Sequence, residues 1–215
     1  MNALLVYAHP EPTSFTAAMR DVAADTLRDL GYTVEVSDLY AEGFNPVAGR
    51  HDFLTVNDPA RFHYQTEQGL AHVQQGFAPD LAREQARFLK ADLVIWLFPI
   101  WWGGVPAILK GWFERVLAYG FAYSDGRRYD KGFFKDKKGL LCFTTGGTAE
   151  RFSATGVYGT LDQVLWPTQR LILEYLGLNA LPPFVAYAAP RVDDAGRKSY
   201  LDQWKTRLRE ISAEP

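Results

Sequence analysis

A single cysteine in 215 residues leaves no material for a disulfide framework or a thiolate metal site. Cys142 itself sits in the apolar run 140–143, where a thiol packs as a small hydrophobe. An excess of one charge is missing too: 23 Lys and Arg against 25 Asp and Glu give a formal net charge of -2. No basic stripe stands out, so neither a nucleic-acid partner nor an anionic-membrane surface is expected. No apolar run is long enough to cross a bilayer, and the first one, residues 3–7, lacks a basic leader and is too short for a signal-peptide core. The expectation is a cytoplasmic protein without membrane insertion. Internal repeats, low-complexity tracts and clusters with metal-ligand spacing are absent as well.

What is present is 47% hydrophobic and 14% aromatic residues, enough for the core of one medium domain spanning 1–215. Residues 3–9 read as a buried strand ending at His9. A loop with Thr13, Ser14 and Thr16 follows, and then Phe15, Met19, Val22, Ala23, Leu27 and Leu30 recur at helical spacing up to Gly31. Amides and hydroxyls at such a helix start can hold a phosphate without any cationic side chain. Ordinary capping by Thr13 or Ser14, and a turn role for His9, explain the same residues.

Residues 32–37 alternate as a second strand. From 41 to 79 no period is sustained, and a long insertion loop is expected there. Its aromatic cluster Phe62, His63 and Tyr64 either covers a pocket or a partner subunit or lies in solvent. A polar helix over 81–90 leads into a third strand, 93–97, and then into Phe98-Pro-Ile-Trp-Trp-Gly-Gly-Val-Pro106, followed by a helix through 116 with proline in its first turn. Trp101 and Trp102 offer faces for stacking, and Gly103 and Gly104 admit a close backbone approach, a combination suited to a flat aromatic guest such as a flavin. The alternative is that the indoles cap a core or a subunit interface. Phe121, Tyr123 and Asp125 lie in a polar-aromatic loop that can border a pocket mouth. A fourth strand, 138–145, ends in Gly146 and Gly147. Residues 161–176 are helical in period, with a kink or restart at Pro167. A fifth strand covers 184–188, and a closing helix over 195–211 presents Tyr200, Leu201, Trp204, Leu208 and Ile211 on one face.

Strands alternating with helices predict an α/β fold, a doubly wound five-stranded parallel sheet with helices on both faces. No GxGxxG follows the first strand, which disfavours the dinucleotide-binding variant and leaves the flavodoxin-like one.

Three strand-end loops carry a combined pattern: Ala8-His-Pro with Thr13-Ser-Phe15; the 98–107 stretch with Lys110-Gly-Trp-Phe-Glu114; and Thr144-Thr-Gly-Gly147. With Ser37-Asp-Leu-Tyr40, Phe44-Asn-Pro46, Tyr129-Asp-Lys-Gly132 and Leu165-Trp-Pro167, the chain closely resembles the NAD(P)H:quinone oxidoreductase (DT-diaphorase-like) family along nearly its whole length. The resemblance implies a flavodoxin-like homodimer with active sites at the interface and one FAD per site, FMN being less favoured. It also implies NADH or NADPH as hydride donor, and a small aromatic acceptor, a quinone or else an azo or nitro compound. Donor and acceptor would use one slot in turn, in a ping-pong scheme through flavin N5.

Carried over position by position, His9, Phe15 and Thr16, with Thr13 and Ser14 in the same loop, would contact the FAD phosphates and adenine side. Thr16 replaces the family's asparagine. Pro99, Ile100, Trp101, Trp102 and Gly103 would run beside the isoalloxazine, Thr144, Thr145, Gly146 and Gly147 along its pyrimidine edge, and Arg197 at the diphosphate or adenosine end. His63 would come from the neighbouring subunit. Trp101, Phe121, Tyr123, Asp125, Phe152 and Tyr158 would edge the substrate slot. Phe152 and Tyr158 stand where the family places a tyrosine and a histidine to steady the charge of the reduced ring. Both positions are expected to be catalytic: Phe152 can stack but donates no hydrogen bond, so either Tyr158 serves alone with its one phenolic donor or the diglycine amides of Gly146 and Gly147 carry the charge. A reading from another class stays open, a flavin-binding ancillary or regulatory subunit of a potassium-efflux-type transporter.

Overall fold

The structure, a computed structural model, describes residues 1–213; the last two residues of the expected 1–215 domain lie outside the described residues. Its centre is a parallel sheet of β1 (Asn2–Tyr7), β2 (Thr33–Asp38), β3 (Leu93–Pro99), β4 (Lys138–Thr144), β5 (Asn179–Ala180) and β6 (Phe184–Ala186). The strand order is β2-β1-β3-β4-β5, with β6 also paired to β4. The expected fifth strand thus shares its edge position with the two-residue β5. Pro182 and Pro183 stand between the two pieces, and proline has no amide to give to a ladder.

Period-two alternation decides which face each strand residue serves. Leu4, Val6, Val94, Trp96, Phe98, Leu141 and Phe143 point into one core. Ala3, Leu5, Tyr7, Leu93, Ile95, Leu97, Leu140 and Cys142 point into the other. Both faces are covered, so these strands read as continuous apolar runs. Helix α1 (Phe15–Asp29) packs with α6 (Asp194–Ala213) over the second core. Their seam includes Trp204, whose indole N–H donates to the Met19 carbonyl at 3.0 Å. Helices α3 (Pro79–Lys90) and α4 (Ala107–Val116) cover the first, with Phe88, Trp96, Trp112 and Phe134 as its aromatic centre. Cys142 is wholly buried in the second core, between the sheet and α1 and α6, and burial pushes its thiol well above the usual range.

The expected 41–79 loop needs correction. It contains α2 (Tyr64–Gln74), capped by His63, whose ring accepts the Thr66 amide at 3.3 Å. Only Ala71 among its apolar residues is buried, together with the polar Glu67 and Gln68, so no apolar stripe marks it in the sequence. The excursion is clamped to the body at two places. A Cβ on Gly111 would lie 2.2 Å from the Pro46 carbonyl oxygen, so only glycine lets α4 approach so closely. Asp52, fully buried, accepts from Arg115 at 2.7 and 2.9 Å and from the Tyr64 hydroxyl at 2.5 Å. At the other expected irregularity, α5 (Leu161–Thr168) contains Pro167 and opens into a wider π-type turn, Gln169–Leu173. The missing proline amide removes one bond of the ladder within α5, the one that would reach the Gln163 carbonyl.

Candidate functional site

Parallel register brings the strand ends together. Tyr7 lies opposite Leu97, Pro99 opposite Thr144, and Thr144 opposite Ala186. The loops after β1, β3, β4 and β6 therefore emerge side by side at the carboxyl edge of the sheet, where ligands bind in open α/β folds.

After β3 the chain makes a tight turn in which Trp101 and Gly104 exchange both backbone hydrogen bonds, at 3.0 and 3.1 Å. Its two central residues have positive φ, 51° at Trp102 and 74° at Gly103, the pattern of a type I′ turn. Glycine takes that conformation freely and tryptophan does not. Trp102 nevertheless holds it with its indole entirely exposed, and Trp101 is 42% exposed. After β4 the turn is pinned from within: the Thr145 hydroxyl donates to the Gly147 carbonyl at 2.7 Å and accepts the Ala188 amide at 3.3 Å. Among the described residues, the Gly146 and Gly147 amides have no acceptor.

Between these turns lies a cavity of about 550 Å³, lined by Ile100, Trp102, Gly103, Thr145, Gly146 and Gly147, with Phe152, Tyr158, Val164, Arg151 and Arg191 at its other walls. The Phe152 and Tyr158 rings are 5.2 Å apart. Thr16 and Thr144 meet beneath at 3.2 Å between hydroxyl oxygens. His9 stands 6.0 Å from the Trp101 ring and accepts the Glu11 amide at Nδ1, 3.0 Å away. Burial lowers its pKa from the usual histidine value. Ser14 caps α1 by accepting the Ala17 amide, Thr13 bonds Glu11, and Phe15 packs toward Tyr200.

The structure thus assembles His9, Thr16, Pro99, Ile100, Trp101, Trp102, Gly103, Thr144, Thr145, Gly146, Gly147, Phe152 and Tyr158 around one edge. Other expected residues sit elsewhere within the single chain. Tyr123 and His63 line a second cavity of about 700 Å³ with Phe62, Tyr64 and Phe113, and Asp125 accepts from the Tyr119 hydroxyl. Phe121 is buried in the single chain against Phe88 and Phe134. Arg197 is absent from the cavity lining; it donates to the Val192 carbonyl and pairs with Asp194 at 2.7 Å. Sequence reasoning missed Arg151 and Arg191. Their only signal was position, in loops that follow a strand.

The site fits a flat, polar-edged ring. A Cβ at Gly103 or Gly104 would meet nothing within 4 Å, and one at Gly146 only the Arg191 guanidinium at 3.9 Å, so the backbone is open to close approach. Among the described residues no group of His, Cys, Asp and Glu could hold a metal ion, and no helix is long and apolar enough to cross a membrane.

A family model described as a flavodoxin-like fold matches residues 1–208. The chain is similar to NAD(P)H dehydrogenase (quinone) 1 of Rattus norvegicus, 45% identical over 211 residues that cover 98% of this chain and 77% of that one. It is 43% identical to ribosyldihydronicotinamide dehydrogenase (quinone) of Homo sapiens, with 98% and 91% covered. Among solved structures it resembles a candidate quinone reductase from Klebsiella pneumoniae, with a TM-score of 0.94, 36% identity, and 98% and 85% of the two chains covered. An NAD(P)H:quinone oxidoreductase from Methanothermobacter marburgensis superposes with a TM-score of 0.75 at 25% identity, covering 100% and 98%.

Proposed function

Because the chain belongs to the flavodoxin-like NAD(P)H dehydrogenase (quinone) family, we propose that it is a flavin-dependent oxidoreductase that reduces quinones with NAD(P)H. FAD is the proposed flavin, and donor and acceptor use one slot in turn. A bound flavin supplies the two-electron chemistry, accepting hydride from the nicotinamide and passing it to the acceptor. The observation that carries the reading is the juxtaposition of the Trp101–Gly104 turn with the Thr145–Gly147 turn at the ends of two neighbouring strands.

The chain's own residues then have separable tasks. Ile100, Trp101 and Trp102 hold a ring by stacking, which tolerates a nicotinamide and a quinone alike. The Gly146 and Gly147 amides meet negative charge at the ring's polar edge as fixed donors. The loop from His9 through Thr16 faces the phosphate end. Tyr158 offers one phenolic donor, and Phe152 stacks without donating. Arg197, tied to the Val192 carbonyl, braces the loop that leads into α6.

A homodimer is part of the proposal. A second copy would bring the region of His63, Tyr123 and Asp125 over the slot, and the exposed Trp166 and Leu171 supply apolar surface for such a contact. A cytoplasmic location is proposed on the same footing. The ancillary-subunit reading is not carried further, since the relatives at 43–45% identity are named as dehydrogenases.

Releasing the chromophore from purified protein and weighing it tests the scheme: a flavin with an adenylate tail is expected, and colourless folded protein that takes up neither FAD nor FMN overturns it. Parallel double-reciprocal lines with NADH and a quinone are expected for alternating use of the slot; intersecting lines would refute it. Tyr158→Phe should slow flavin reduction in stopped-flow, and an unchanged rate removes the phenol from the mechanism.

A further inference from the structure

Two arginines line the cavity between the glycine turns, and no carboxylate does. Several guanidinium groups elsewhere are matched by acids: Arg20 by Asp21 and Asp38, Arg87 by Glu35, Glu42 and Glu84, Arg115 by Asp52 and Asp80. Arg191 has no side-chain hydrogen bond or ion pair among the described residues, and its Nη1 lies 3.9 Å from where a Gly146 Cβ would be. Arg151 donates to the Tyr158 hydroxyl at 3.3 Å, and its Cδ lies 3.4 Å from the corresponding position on Gly147. Nearby acids are engaged elsewhere: Asp193 accepts the Gly196 amide at 2.8 Å, and Asp194 pairs with Arg197.

Uncompensated guanidinium forks flanking a diglycine turn present the donor geometry that oxyanions match. We propose that Arg151 and Arg191 form an oxyanion subsite at the mouth of the ring slot, selecting a hydride donor whose nicotinamide is tethered to phosphate. The inference rests on the oxidoreductase reading above and adds to it the residues that tell a phosphate-bearing donor from one without phosphate. The names of two relatives mark the alternatives. One contains NAD(P)H, which carries a diphosphate, and the other ribosyldihydronicotinamide, which carries none. Identities of 45% and 43% do not separate them, whereas charge at the slot does. An aryl sulfonate or carboxylate on the acceptor offers the same oxyanion chemistry, so both sources enter the test.

The test compares kcat/KM for NADH with that for dihydronicotinamide riboside against one neutral quinone. It also compares a sulfonated with a neutral naphthoquinone at fixed NADH. Both ratios are read in the wild type, Arg151→Gln, Arg191→Gln and the double variant, with the double Arg→Lys variant retaining charge. Both side chains are exposed, so folding is not at risk. The NADH-to-riboside ratio should fall at least tenfold in the double Gln variant and recover in part with lysine. A fall confined to the sulfonated-to-neutral ratio assigns the subsite to the acceptor's oxyanion and overturns the donor assignment. Unmoved ratios overturn the subsite altogether. Calorimetric titration of the protein as isolated with nicotinamide mononucleotide and with nicotinamide riboside reads the subsite without turnover. At least tenfold tighter binding of the mononucleotide, lost in the double Gln variant, supports it; equal affinity, or binding of neither, overturns it. Mononucleotide preference in a protein that reduces no quinone would remove the oxidoreductase reading and leave the subsite standing.

Discussion

Trp102 combines a backbone conformation that costs a non-glycine residue on the order of 1 kcal/mol with a side chain that touches no core. A residue kept under strain without packing in return is expected to serve a ligand. Trp102→Gly should leave the thermal midpoint within about 3 °C, since relief of strain offsets the added freedom of the unfolded chain. Quinone reductase turnover should fall about tenfold, the equivalent of one lost stacking contact of roughly 1.4 kcal/mol. Gly147 makes the complementary case. A Cβ there would meet the Tyr158 ring at 2.9 Å and the Phe152 ring at 3.2 Å, both movable side chains. Gly147→Ala should therefore cost little stability in a urea melt yet displace the two rings and cut kcat; unchanged kcat would show that their placement is immaterial. The glycines and tryptophans of this turn pair could be read from the sequence because they break rules that ordinary loops obey. Arg151 and Arg191 could not, since an isolated arginine in a loop looks the same whether it meets solvent or a ligand.

Helices and strands were recoverable wherever burial imposed a period. β1, β3 and β4 are buried on both faces, and α6 carries a regular apolar stripe with Trp204, Leu208 and Ile211 inside. α2 escaped because it docks through polar groups: Gln68 accepts the Tyr119 amide at 3.1 Å, and Glu67 accepts the Asn57 amide at 2.9 Å. The Asp52–Arg115 pair anchors this same excursion to α4, with both side chains almost wholly buried. Removing Asp52 leaves the buried guanidinium only the part-exposed Asp80 at 3.2 Å as a charged partner and takes the acceptor from the Tyr64 hydroxyl, so Asp52→Ala should cost about 3 kcal/mol in a denaturant titration. Hydrogen exchange should accelerate in α2 before it does in β1 or β3. Tyr64 adds a pH signature. Burial first, then its hydrogen bond and proximity to Asp52, raise its pKa above the usual 10.0. Above that pH the unfolded chain loses a proton that the folded one keeps, so the stabilisation is complete below pH 10 and declines as pH climbs further. Tyr64→Phe, less stable at neutral pH, should show a flatter stability curve between about pH 10 and 11.

For the whole chain, the ligand edge is distributed over loops from both halves of the sequence, so occupancy should be felt as global stability. A flavin at one hundred times its dissociation constant adds about 2.7 kcal/mol. For a chain of this size that is roughly 5–10 °C in the thermal midpoint, read by comparing protein stripped of flavin with protein reloaded; no shift would mean that the folded chain does not bind the flavin in preference to the unfolded one. The tryptophans fall into two optical classes. Trp96, Trp112 and Trp204 are sealed in the two cores, whereas Trp101, Trp102 and Trp166 face solvent. In flavin-free protein iodide should quench only the long-wavelength half of the emission, and bound flavin over Trp101 and Trp102 or a second copy over Trp166 should shield it, which gives this chain separate built-in colours for events at its surface and for loss of its interior.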